Sequence, residues 1–134
     1  MPVSAKTRNT LILAGTAAYW LLIFVGTHAP GNVVHAQGYT DKVYHFTAFF
    51  GLSFLLCSCV ASFRRLGTAT YAAIVGLVAA YGVCDELTQM LVPNRSADPL
   101  DWLADVSGAI LGVLIFSLMQ RFLFPGKVAQ GATG

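Results

Sequence analysis

Charge is what this chain has least of. Asp, Glu, Lys and Arg make up only 10% of its 134 residues, against about 25% in ordinary soluble domains. A net charge of +2 with no basic tract or aromatic platform excludes a nucleic-acid surface. Nucleophile elbow, phosphate loop and dinucleotide fingerprint are all missing, which removes the commonest soluble catalytic plans. Cysteine is scarce as well. Cys57, Cys59 and Cys84 sit in apolar runs, and Cys57 and Cys59 project from different faces of a helix. They do not form a metal site and read as small buried hydrophobes.

What remains is apolar. Hydrophobic residues make up 56% of the chain, and its mean hydropathy is +0.66. This predicts an all-α integral membrane bundle of four transmembrane helices, one domain over residues 1–134. After Lys6 and Arg8, about 17 mostly apolar residues give a first helix over about 10–27, long enough for roughly 25 Å. A cleaved signal peptide is the rival reading, but Pro30 directly after Ala29 disfavours cleavage there. A loop over 28–40 carries His28 and His35, both expected to be solvated. Thr40 stands where an N-cap would, with Asp41 in the first turn of the second span. Arg64, Arg65 and Gly67 form a basic turn, and the third span starts near Thr68 and is closed by Pro93. The fourth runs from near Asp101 to about Phe124, stopped by Pro125 and Gly126, and a disordered tail follows over about 126–134.

Lys6, Arg8, Arg64, Arg65, Arg121 and Lys127 fall at one end of this plan, and only Lys42 and Arg95 at the other. The positive-inside rule then puts both termini in the cytoplasm and the opposite end outside. That outer end is where the acids are. Asp85, Glu86, Asp98, Asp101 and Asp105 lie within one stretch, and Asp41 opens a second polar island that ends at His45. A charge inside a bilayer costs roughly 2.5 kcal/mol or more even on lenient scales, so such a cluster reads as a site.

Helical spacing sorts these residues by face. Asp41 and His45 are i, i+4; so are Asp85 and Gln89; Asp101, Asp105, Gly108 and Gly112 make one stripe whose lower half allows close helix approach. Ala72, Gly76 and Ala80 form a small-residue face on the third helix, expected to pack tightly. Bland roles stand beside functional ones. Asp101 could be a helix-dipole partner, Arg95 a clamp on the loop, and His45 a satisfied interface histidine. Asp85 beside Glu86 is harder to explain structurally, because adjacent like charges disfavour each other unless cations compensate.

Three chemistries fit the cluster. Its carboxylates and His45 could bind a divalent cation, although no HExxH or DxxxD spacing specifies the metal. A paired acid and base could act on a lipid-linked substrate. Lys42, Arg95 and the acids could simply bind a charged envelope molecule.

The combination of Asp41, Lys42, His45, then Asp85, Glu86, Gln89, Pro93, Arg95, Asp98 and Asp101, then Gly108 and Gly112 resembles the VanZ-like family of small membrane proteins, over about 41–116. Two positions depart from the family pattern. Asn94 stands where Gly often precedes the arginine, which alters turn geometry, and Asp105 stands where many members carry Asn, which adds a negative charge. The resemblance implies a multi-pass protein of the bacterial inner (cytoplasmic) membrane, linked through the founding member to resistance to the glycopeptide teicoplanin.

On this reading the protein binds a polar or lipid-linked envelope molecule, and whether it also modifies it is left open. Asp85, Glu86 and His45 are the candidate catalytic or cation-binding groups. Gln89 orients a substrate group, and Lys42 and Arg95, with Asp41, Asp98 and Asp101, complete the binding site. Expected partners are membrane lipids and a lipid-linked or glycopeptide ligand, with oligomerisation through Gly108 and Gly112. The alternative is a structural or accessory subunit whose polar cluster only ties helix ends together. Whether it is an enzyme is left open.

Overall fold

The structure, a computed structural model, describes residues 4–30 and 38–123. Four helices account for nearly all of it: α1 (Ala5–Thr27), α2 (Tyr39–Ala61), α3 (Thr68–Gln89) and α4 (Pro99–Leu123). All four are long and apolar enough to cross a membrane, and no strand occurs among the described residues. His35 and the C-terminal stop and tail lie outside the described residues.

Helix ends differ from expectation for local reasons. α1 begins at Ala5, five residues earlier than its apolar run, because the Ser4 hydroxyl accepts the Thr7 N–H at 3.1 Å and caps the polar first turn. Thr40 is not the cap of α2; Gly38 is, with φ +62°, and Thr40 lies inside the first turn. α4 starts at Pro99, whose fixed φ suits the first helical position, and the Asp98 side chain accepts the Leu100 N–H at 2.9 Å. α3 ends at Gln89, ahead of Pro93, and its last turn relaxes through i→i+3 bonds from Leu91 to Thr88 and from Val92 to Gln89.

The helices alternate in direction, so two ends of the bundle can be distinguished. At the basic end the Asn9 amide donates to the Ser62 carbonyl at 3.3 Å, and the Tyr71 hydroxyl donates to Gln120 Oε1 at 2.6 Å. At the acidic end the Thr27 hydroxyl at the close of α1 donates to Asp85 Oδ1 at 2.9 Å.

The broadest interface joins α2 to α4. It is close because Gly108 lies on the Phe46 carbonyl and Gly112 on the Phe50 carbonyl and the Ser53 hydroxyl, leaving no room for a Cβ at either glycine. The Gly108/Gly112 stripe expected to serve oligomerisation is therefore covered by α2 of the same chain. Phe49, Leu52, Cys57, Ile74, Val78, Ala109 and Val113 form the core beneath the polar end. The outside is apolar as well: Leu21, Leu22, Leu77, Leu114 and Phe122 are all exposed, as helices immersed in lipid require. Two expectations fail on this surface. Ala72, Gly76 and Ala80 face outward, and of the cysteines only Cys57 is buried while Cys84 is exposed. On the outside of a membrane bundle, apolar residues need not be covered by protein.

Candidate functional site

The polar residues converge at the acidic end, in an outer ring and an inner centre. The outer ring is made of ion pairs. Lys42, from the first turn of α2, reaches Asp98 Oδ2 at 2.7 Å and Asp101 Oδ1 at 2.9 Å, so one ammonium joins α2 to the start of α4. Asp98 lies outside the helices, and this contact holds its carboxyl below the usual carboxylate range. Arg95 sits 3.5 Å from Asp41 Oδ2 and donates its Nε–H to the Ala29 carbonyl at 3.3 Å. It ties the α3–α4 loop to α2 and to the end of α1, and both cations are engaged within the chain.

Asp85 and Glu86, adjacent in sequence, part company in space. Successive helical residues point about 100° apart. Asp85 turns toward α1 and is fully bonded by neutral donors: Thr27 at 2.9 Å and Tyr81 at 3.3 Å on Oδ1, and Gln89 at 2.7 Å on Oδ2. Gln89 is thereby committed to the carboxylate one turn before it. His28, expected to be solvated, packs here instead, with Nδ1 3.8 Å from Asp85 Oδ1 and Nε2 2.8 Å from the Thr88 hydroxyl.

Glu86 turns the other way, toward α2 and α4. Its Oε2 accepts the Asp98 backbone N–H at 2.7 Å, and its Oε1 lies 3.9 Å from His45 Nδ1. His45 Nδ1 in turn meets Asp105 Oδ1 at 2.9 Å. The other oxygen, Asp105 Oδ2, is directed at Gly82 on α3, where a Cβ would come within 3.0 Å of it. Gly82 stands one turn before Glu86, so a gap in the α3 side chains admits this carboxylate beside the Glu86 turn. His45, Glu86 and Asp105 are respectively 3%, 5% and 0% exposed. Two oxygens of this inner trio, Glu86 Oε1 and Asp105 Oδ2, are buried with no hydrogen-bond partner among the described residues.

Chemically, the trio offers a histidine oriented by one carboxylate with a second carboxylate nearby, an arrangement suited to moving a proton or holding a cation. Its potential ligand atoms lie within 4.8 Å of one another, and those of Asp41, His45 and Asp101 do likewise. In the second group each carboxylate already has a cation beside it, Arg95 at Asp41 and Lys42 at Asp101, the latter shared with Asp98.

Every residue of the expected site is at this end, but their standing differs. His45 and Glu86 are central, Asp85 and Gln89 form a neighbouring bonded pair, and Lys42, Arg95, Asp41, Asp98 and Asp101 make the ring. Sequence alone places Asp105 in the acidic stretch, in a helical stripe and as a departure from the family pattern, with no role assigned, yet it is the best-buried acid of the centre. Its signal was its i, i+4 relation to Asp101 above a glycine pair that fixes α4 against α2. Thr27 had no signal beyond being a polar residue at the end of an apolar run.

No curated protein and no solved structure matches the chain. The resemblance carried by the polar motifs begins at Asp41, whereas the sequence profile described as VanZ/LLP1 matches residues 5–120 and takes in α1 as well, so the chain belongs to the VanZ/LLP1 family.

Proposed function

We propose that this VanZ-like membrane protein binds a polar or lipid-linked molecule of the cell envelope at its acidic end, and that this end faces outward. The orientation rests on six cations near the opposite helix ends against two here. The binding role rests on one observation: Glu86 Oε1 and Asp105 Oδ2 are buried without partners while Asp85 beside them is fully bonded. The other such side-chain oxygen among the described residues is the neutral amide Oδ1 of Asn9 at the basic end; a buried carboxylate oxygen left unsatisfied costs about 1–3 kcal/mol or more, and joining helix ends does not require it. The outer ring supplies the joining; the inner trio is left for a ligand. In this reading His45, oriented by Asp105, and Glu86 form the acid–base pair that faces the ligand. Asp85 and Gln89 anchor α1 against the site, and Lys42 and Arg95 set its rim.

The test is lipid retention. Full-length protein purified in mild detergent is analysed by native mass spectrometry before and after extended washing. An envelope lipid whose head group carries hydroxyl or ammonium donors, retained by the parent and shed by His45→Ala and Glu86→Gln, supports the reading. Equal retention by parent and variants, or none by either, overturns it.

A further inference from the structure

We infer that His45, Glu86 and Asp105 bind a divalent first-row transition-metal ion, an inference that rests on the ligand-binding reading of this site. The first support is the pair of unpartnered oxygens, on different helices and within one small cluster. A proton on either carboxyl would satisfy one of them; a single cation bound by Glu86 Oε1 and chelated by both oxygens of Asp105 would satisfy both. Charge agrees with this. Lys42 is held by Asp98 and Asp101 and Arg95 by Asp41, so neither compensates the centre. Two ionised carboxylates with a neutral imidazole carry −2, which one divalent ion neutralises in a place where net charge is costly.

Geometry points the same way. The three candidate ligand atoms come from α2, α3 and α4 and lie within 4.8 Å of one another. Around an ion with bonds of about 2.1 Å, tetrahedral ligands sit about 3.4 Å apart. His45 Nδ1 lies 3.9 Å from Glu86 Oε1 and 2.9 Å from Asp105 Oδ1, so small rotamer changes, a closing of Glu86 and an opening of Asp105, bring both carboxylates to that spacing. The outer bonds are already of the supporting kind, since Glu86 Oε2 takes the Asp98 N–H and leaves Oε1 free. Coordination through Nδ1 requires the imidazole tautomer protonated at Nε2 and displaces any Nδ1 proton now shared with Asp105. One nitrogen with two carboxylates favours Zn²⁺, Mn²⁺, Fe²⁺ or Co²⁺ over Mg²⁺ and Ca²⁺, which prefer all-oxygen shells.

The test uses full-length protein purified in detergent with a histidine-free affinity tag and no chelator. Elemental analysis should find about one transition metal per chain, and Co²⁺ added to metal-stripped protein should give a visible absorption band that Zn²⁺ abolishes. Asp105→Asn and Glu86→Gln should weaken Co²⁺ binding by at least the ~10–100-fold that loss of a mere outer-shell partner brings, while Asp98→Asn and Asp41→Asn should keep the band. A metal-stripped parent that gives no band and binds no Zn²⁺ overturns the inference without recourse to any variant. Metal lost in Asp41→Asn but kept in Asp105→Asn overturns it in favour of the outer trio. Because the readout needs no lipid, the two readings fail separately. Lipid retention that depends on His45 in a protein that binds no metal removes only the metal, and metal binding without lipid retention removes only the proposed function.

Discussion

His45 and Asp105 face each other across the tightest interface of the bundle, Nδ1 to Oδ1 at 2.9 Å, both buried. The contact is close because Gly108, three residues after Asp105, lies on the backbone of Phe46, next to His45. Backbone proximity at a glycine thus fixes the orientation of an imidazole one turn away.

The adjacent acids Asp85 and Glu86 should respond oppositely to neutralisation. In Asp85→Asn an amide N–H₂ must replace an oxygen that accepts from Thr27 and Tyr81 or from Gln89. Stability should fall by about 1–3 kcal/mol. In Glu86→Gln the carbonyl can still accept from Asp98 N–H, and the change removes charge from an oxygen that has no partner. Thermal unfolding in detergent with a chelator should show Glu86→Gln melting no lower than the parent and Asp85→Asn clearly lower. The reverse ranking would contradict the assignment of roles.

Gly112→Leu should lower stability by about 1–3 kcal/mol or more, because its side chain would enter the Phe50 carbonyl and the Ser53 hydroxyl. Gly76→Ala on α3 is the comparison: a Cβ there meets nothing within 4 Å, so helix propensity should add up to about 1 kcal/mol. The two variants melting alike would mean that α4 does not meet α2 at Gly112.

Asn94 adopts φ +62° in the α3–α4 loop, the left-handed region that glycine enters freely and asparagine better than most. Asn94 thus takes a backbone conformation that the glycine frequent at this position in the family could also adopt. Asn94→Gly should change the melting temperature little, whereas Asn94→Val should cost about 1–2 kcal/mol.

Orientation is tested by labelling. In a cysteine-free background, a cysteine at exposed Asn94 should react with an impermeant thiol reagent in intact cells, and one at exposed Arg65 should react only after lysis. Labelling in the opposite sense would invert the topology.

Acid should loosen the outer ring. Lys42 depresses the Asp98 carboxyl, so the stability this pair contributes is present above the unfolded carboxylate pKa of about 3.9 and is lost as pH falls through the lower folded value. The Asp98 side chain is 39% exposed, so solvent screening keeps the effect small. Melting temperature measured from pH 5 downward should fall less steeply in Asp98→Asn than in the parent.

The four spans and the polar end were legible because hydropathy and helical period are properties of single segments. The ranking of the acids was not. Periodicity tells which residues share a face of one helix, but not how that helix is rotated against its neighbours. Asp85 and Glu86 are expected to act together, yet α3 is turned so that Asp85 meets α1 while Glu86 meets α2 and α4. Asp105 became central only through a gap at Gly82, a feature of contact between helices. His28, expected in the loop over 28–40, caps the end of α1 and packs on α3.

The bond from the Asp98 N–H to Glu86 Oε2 gives the buried centre a spectroscopic outlet. That amide proton belongs to the loop, yet its acceptor is a carboxylate of the trio. Its chemical shift and its rate of exchange with deuterated water therefore record what happens at Glu86. Ligand capture that draws electron density toward Oε1 weakens the acceptor at Oε2, moving the resonance upfield and speeding exchange. A single nitrogen-15 label at Asp98 reads the state of the trio without altering any of its three residues.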